Sequence, residues 1–118
     1  MDTDILIKHA PPRAHLDLGH LGCSFLLEEL WRRRPCLHVC GHVHEGYGQE
    51  WIQDDALQRA YEKTAIEGGG LFNLLRVCVG FVHAYLRPPK EYWTLTVNSA
   101  MVGGLRGTQY QRTITVLI

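Results

Sequence analysis

Two short apolar runs enclose a helical pattern near the start of the chain, and this arrangement constrains the fold most. Residues 5–8 form a β-branched run typical of a strand buried on both faces, and Pro11 and Pro12 end it. Residues 37–40 form a second such run, after Pro35. The helical stripe between them consists of Leu26, Leu27, Leu30 and Trp31. Strand, helix and strand in this order predict a βαβ unit with two parallel strands in one sheet.

The remainder of the chain predicts two more helices and two more strands. Residues 54–66 have helical spacing, with Asp54 or Asp55 as the N-cap, and a glycine-rich break separates them from a helix over residues 71–86. Residues 92–97 and 113–118 are rich in β-forming residues, with Gly103, Gly104 and Gly107 between them. The predicted fold class is therefore α/β.

Composition narrows the classes of function. The 118 residues include 12 Lys or Arg and 12 Asp or Glu, and zero net charge argues against binding to nucleic acid or to a membrane surface. The longest apolar stretch, residues 71–86, is shorter than the ~20 residues of a bilayer span, so we expect a buried helix. The acidic N-terminus does not resemble a signal peptide, and the four cysteines include no CxxC pair. We therefore expect a cytoplasmic protein with reduced thiols.

Three histidines follow the two predicted parallel strands. His9 comes directly after the first strand, and His42 and His44 come directly after the second, next to Gly41. The carboxyl ends of parallel strands meet at one edge of a sheet, and in extended backbone residues two apart project to one side. Neutral imidazole is the commonest metal-binding side chain. The sequence thus predicts a metal site formed by His9, His42 and His44.

The other histidines and the cysteines are better explained by structural roles. We expect His15, His20 and His83 to have no role in the site, and His38 to pack or hydrogen-bond inside the second strand. Cys36 and Cys40 flank that strand, where packing is the expected role. A small zinc site formed by these cysteines with His42 and His44 is a weaker alternative, because its spacing matches no common structural zinc motif.

Two segments of the chain have distinctive sequences: residues 4–12 read DILIKHAPP, and residues 37–48 read LHVCGHVHEGYG. They resemble the calcineurin-like metallophosphoesterases, which have DILxTHGPP and LHVxGHxHEGYG at these places, and the brain-type subfamily with its fungal relatives is most similar. Gly22-Cys23 and Val97-Asn98-Ser99 also fit the pattern. The resemblance covers residues 4–52 and, less closely, residues 93–118. Residues 53–90 look like an insertion.

The resemblance implies a metal-dependent phosphoester hydrolase on part of a metallophosphoesterase β-sandwich, in which the βαβ unit precedes the inserted helices and the C-terminal strands. His9 and His42 would bind one divalent ion and His44 the other, with Mn, Fe or Zn as candidates. A pair of such ions activates water and stabilises both oxygens of an in-line displacement. The substrate would be a small phosphoester, with nucleotides among the candidates. Asn98 would order a loop.

The chain also departs from the family pattern. The D-x-H, G-D and G-N-H motifs, which supply the bridging carboxylate and further ligands, do not occur, and Ala10 stands where the family has glycine. We therefore expect one domain over residues 1–118 that is truncated at its N-terminus and binds at most one ion, and no catalytic residue is assigned. The alternative is a non-catalytic remnant that binds one metal, or a partner chain at an exposed sheet edge.

Overall fold

A computed structural model describes residues 4–19, 21–87, 92–103 and 109–117. The chain forms, in order, β1 (Ile5–Ile7), α1 (Ser24–Arg33), β2 (Leu37–Cys40), β3 (Gly48–Gln53), α2 (Ala56–Glu67), α3 (Leu71–Leu86), β4 (Trp93–Asn98), β5 (Val102–Gly103) and β6 (Gln109–Tyr110). A short 3₁₀ helix, His44–Gly46, precedes β3. The α/β class is confirmed. His20, Pro88, Pro89, Gly104, Gly107 and Ile118 lie outside the described residues.

A mixed four-stranded sheet has the order β1-β2-β4-β3. β1 pairs with β2 in parallel, which confirms the βαβ unit, and β2 pairs with β4 in parallel. β3 pairs with β4 in antiparallel orientation. This strand was not predicted from the sequence. The carboxyl ends of β1, β2 and β4 therefore meet at one edge of the sheet.

The sequence predicted that the first strand is buried on both faces, and this prediction is wrong. β1 is an edge strand, and the exposed fractions of Ile5 and Ile7 are 46% and 71%. β1 has one strand neighbour, β2, so its outer edge is uncovered. A run of three apolar residues does not reveal how many neighbours a strand has.

The third helix has the predicted bounds but is not a buried helix. α3 packs against α2, and Gly80 is its one buried residue. Nine of its large apolar side chains are 54–87% exposed. No helix within the described ranges is both long and apolar enough to cross a lipid bilayer.

The C-terminal segment differs from the predicted strand over residues 113–118. Residues 113–117 form no regular element, and the short strands β5 and β6 pair with each other instead. Ile114 and Val116 nevertheless pack on the apolar cluster of Leu37, Leu95 and Val97, which covers one face of the central strands. This packing partly buries apolar side chains of the segment, although the segment pairs with no described strand.

Candidate metal site at the carboxyl edge of the sheet

His9 and His42 meet where β1 and β2 end. The Gly41 N–H donates a hydrogen bond to the His9 carbonyl oxygen at 3.0 Å, which ties the two strand ends together. The His9 Nε2 and His42 Nδ1 atoms are 3.0 Å apart, and the ring centroids are 4.7 Å apart in an edge-to-face arrangement. Both side chains are exposed. The structure therefore brings together two of the three predicted imidazoles.

His44 does not join this pair in one cluster. Within the described part of the chain, no group of three or more His, Cys, Asp or Glu side chains is placed to hold a metal ion. The prediction assumed extended backbone from His42 to His44. Instead, His42 has a left-handed φ of 67°, and His44 begins the 3₁₀ helix. The rule that residues two apart share one side does not apply to this backbone.

The spacing of the two imidazole nitrogens fits one ion. Ligand nitrogens at the usual ~2.0–2.1 Å from a tetrahedral ion are ~3.3 Å apart, which is close to the 3.0 Å between His9 Nε2 and His42 Nδ1. A catalytic zinc site has three protein ligands, and the described residues supply two at this point. The described residues therefore supply two of the three protein ligands that such a site needs.

The loop that carries His42 is held by Asn98, at the end of β4. Asn98 is fully buried, and its Nδ2 donates hydrogen bonds to the carbonyl oxygens of Val43 at 2.8 Å and Leu16 at 3.3 Å. Its Oδ1 accepts from the Ala100 N–H. Asn98 thus orders the loop, as expected. A left-handed non-glycine residue costs about 1–2 kcal/mol, so these hydrogen bonds help to hold His42 in a strained conformation.

Gly46, rather than Gly41, is the glycine that this loop requires. A Cβ at Gly46 would lie 2.0 Å from the Leu16 carbonyl oxygen, which is far inside contact distance. A Cβ at Gly41 would meet only the His9 carbonyl oxygen, at 3.9 Å. A side chain at position 41 would therefore not clash with the described residues. The close approach at Gly46 joins two segments 30 residues apart, which no local pattern reveals.

The alternative zinc site with cysteine ligands is not formed. Cys40 is 3% exposed, and burial raises the pKa of its thiol to about 12, so it is not the thiolate that zinc prefers. Cys36 is exposed, so the expected packing role is wrong for this residue and correct for Cys40. Asp17 is also structural, since its carboxylate accepts hydrogen bonds from the Gly19 and Gly22 N–H groups.

His15, for which we expected no special role, lies at the centre of a buried polar network. His15 is 2% exposed, and its Nδ1 and Nε2 lie 3.1 Å from a Glu50 oxygen and 2.7 Å from a Glu62 oxygen. Glu62 is fully buried and also accepts hydrogen bonds from Trp31 and Gln58. Burial opposes the positive charge of His15, but its hydrogen bonds to the two glutamates raise the pKa of His15 to about 9. The network joins the loop before α1 to β3 and α2.

His38 packs beside this network. His38 and Thr96 are opposite each other on β2 and β4, and both are fully buried. Neither ring nitrogen of His38 has a hydrogen-bond partner among the described residues. Burial and the nearby charge of His15 lower the pKa of His38 to about 4, so His38 is neutral at pH 7. The expectation of a packing histidine is confirmed.

Comparisons with known proteins give one long match and several short ones. The chain is 45% identical over 122 residues to "Probable rhamnogalacturonate lyase C" of Emericella nidulans, a match that covers 98% of this chain and 11% of that protein. It is 51% identical over 52 residues to metallophosphoesterase domain-containing protein 1 of Homo sapiens and of Mus musculus, over 39% of this chain and 16% of each relative. No protein-family model and no solved structure matches the chain.

The short matches support a resemblance to the metallophosphoesterase superfamily over part of the chain. The chain spans only 11–16% of the length of these relatives, so a name that applies to a whole relative describes mostly sequence outside the match. The long match covers nearly every residue of the chain, which includes α2 and α3. The helical segment predicted as an insertion is therefore shared with the fungal relative.

Proposed function

We propose that this chain contributes to a metal-dependent phosphoester hydrolase, in which His9 and His42 bind one divalent ion. The second metal position, to which the resemblance assigns His44, is not filled by this chain alone. The observation that carries the proposal is the 3.0 Å approach of the His9 and His42 imidazoles at the carboxyl edge of two parallel strands. The short relatives, which are named for a metallophosphoesterase domain, support it. In this proposal residues 1–118 are part of one such domain, and the sheet is part of its β-sandwich.

The residues of the chain have distinct tasks in this proposal. His9 and His42 present ring nitrogens from two strand ends that a backbone hydrogen bond holds together, so both side chains start from neighbouring positions at one edge of the sheet. Asn98 holds the loop between His42 and the 3₁₀ helix by its hydrogen bond to Val43. A bound divalent ion would act as a Lewis acid, which polarises a phosphoryl oxygen and lowers the pKa of a bound water. Three imidazoles without a carboxylate do not offset the repulsion between two ions, so we expect one ion per chain.

Metal titration by calorimetry tests the site directly. The wild-type chain should bind one Mn²⁺ or Zn²⁺ ion, and His42→Ala should weaken binding at least ~10-fold, because it removes one of two ligands. His83→Ala is the matched control, since His83 is an exposed histidine on α3, away from this edge. Equal affinity in the wild type and His42→Ala would contradict the proposal, and two ions per chain would contradict the single-ion assignment.

Hydrolysis of a chromogenic phosphodiester in the presence of Mn²⁺ tests the reaction. Activity that falls in His9→Ala and His42→Ala but not in His83→Ala supports a hydrolase whose metal these two residues bind. Activity that survives both site substitutions would remove this edge of the sheet from the reaction. Metal binding without turnover favours the second candidate function below.

A non-catalytic metal- or partner-binding role is the second candidate, and the exposed edge of β1 favours it. β1 has a strand partner on one side only, and beside it lies an open groove of about 680 Å³ lined by residues of β1 and α1 that include Leu6, Phe25 and Leu26. An edge strand next to an apolar groove can accept a further strand from another chain. The Lys8 N–H donates to the Val39 carbonyl oxygen in β2, so the amides of Ile5 and Ile7 are the ones that face the free edge. Protection of the Ile5 and Ile7 amides from hydrogen exchange by such a partner would support this role.

A further inference from the structure

The helix α3 presents an apolar surface that the described residues do not cover. Its sequence contains one Lys or Arg residue, Arg76, and most of its large apolar side chains are more than half exposed. Monomeric proteins rarely expose a continuous apolar patch beyond roughly 300–600 Å². With about 100 Å² for each exposed side chain, the apolar surface of α3 is on the order of 1,000 Å².

One side of α3 is already used by α2. A Cβ at Gly80 would lie 3.1 Å from the Ala56 carbonyl oxygen and 3.2 Å from the Leu57 Cα, so the two helix backbones approach closely there. With 3.6 residues per turn, the opposite side of α3 carries a stripe that we call the α3 seam. The α3 seam consists of Leu71, Leu75, Cys78, Val82 and Tyr85.

The spacing of the α3 seam matches a helix-pairing surface. Its members follow one another at intervals of four, three, four and three residues, which is the pattern of side chains that interlock between two paired helices. All five members are exposed, with 82% for Leu71 and Tyr85, 61% for Leu75 and 54% for Val82. Cys78 is at the centre, seven residues from each end of the seam.

We propose that the α3 seam pairs with the α3 seam of a second copy of this chain, so that the two α3 helices lie side by side between the two α2 helices. A standard interface buries ~800 Å² on each partner, which the apolar surface of α3 can supply. The seam itself carries no charged side chain, so its partner must also be apolar, and a second copy offers the same surface. A two-fold pairing places each seam against its own counterpart.

The chemistry of α3 disfavours a lipid surface as the occupant. Helices that lie on membranes carry several Lys or Arg residues on their polar side, where they meet anionic headgroups. The one such residue of α3, Arg76, forms an ion pair with Glu67 at 3.0 Å. The chain as a whole has zero net charge, so long-range repulsion between two copies is small.

Light scattering of the full chain after size-exclusion chromatography tests the pairing under reducing conditions. The wild type should have twice the 13.4 kDa mass of one chain. Leu75→Glu should raise the dimer Kd about 100-fold or more, because it buries a carboxylate in each half of the seam. Phe25→Glu is the control, since Phe25 is 80% exposed but lies on α1, and it should leave the dimer intact. A monomeric wild type, or equal loss of the dimer in both variants, would overturn the proposal.

Cross-linking tests which surfaces meet and does not depend on a destabilising variant. A short bismaleimide should join two wild-type chains through Cys78, which lies at the centre of the seam in either helix direction. Cys78→Ser should abolish the cross-linked dimer, and Cys36→Ser, which removes another exposed thiol, should retain it. Cross-linking that depends on Cys36 instead would overturn the proposal. So would a monomeric chain that binds to phosphatidylcholine vesicles.

Discussion

The His15 network should make the stability of this fold depend on pH in a defined window. The folded state raises the pKa of His15 from 6.5 to about 9, so the folded chain holds a proton that the unfolded chain releases between these values. The stabilisation is fully present below pH 6.5 and is lost as the pH rises through 9. Each pKa unit corresponds to 1.36 kcal/mol, so the contribution of His15 is about 3 kcal/mol.

His15→Gln isolates this effect. Glutamine can still donate a hydrogen bond to Glu62, but it cannot take up a proton in this pH range. Urea unfolding, followed by tryptophan fluorescence at a fixed chain concentration, gives the free energy of unfolding. Between pH 6 and pH 9.5 the wild type should lose about 3 kcal/mol more than His15→Gln. Trp31 donates a hydrogen bond to Glu62 and therefore reports on the network itself.

His83→Gln is the matched control, because it removes an exposed histidine and should leave the wild-type pH dependence unchanged. Equal losses of unfolding free energy in the wild type and His15→Gln across this window would refute the reasoning. A wild-type stability that rises between pH 6.5 and pH 9 would contradict the sign of the linkage.

Three substitutions and one control, Gly41→Ala, test the loop and the helix start by the same unfolding measurement. Gly46→Ala should cost about 1–3 kcal/mol or more, because its Cβ would overlap a backbone oxygen, while Gly41→Ala should be nearly neutral; equal costs would contradict the steric argument. Asn98→Ala should cost about 1–3 kcal/mol, because the buried Val43 carbonyl oxygen loses its donor, and a cost near zero would mean that the loop relaxes freely. Asp55→Ala should cost about 1 kcal/mol, because the Asp55 carboxylate caps α2; a neutral effect would show that the cap is not needed.

Part of the candidate site follows from sequence, and part does not. The parallel order of β1 and β2 is predictable from the βαβ pattern, and it places His9 beside His42. The position of His44 is not predictable in this way, because it depends on the left-handed turn at His42. Asn98 supports that turn from a strand more than 50 residues away, so its contact forms only when β4 joins the sheet.

The sequence by itself determined the helices of this protein. The helical stripe of α1, the bounds of α3 and the capping of α2 by Asp55 depend on neighbouring residues, on prolines and on glycines, which act within a few positions. The tertiary structure alone decided which surfaces are covered. The burial of His15 between Glu50 and Glu62 depends on contacts between segments 35 and 47 residues apart. The faces of β1 and α3 are exposed because no distant described segment packs on them. Local periodicity shows that a side chain is suited to burial, but only the packing of distant segments decides whether another surface reaches it.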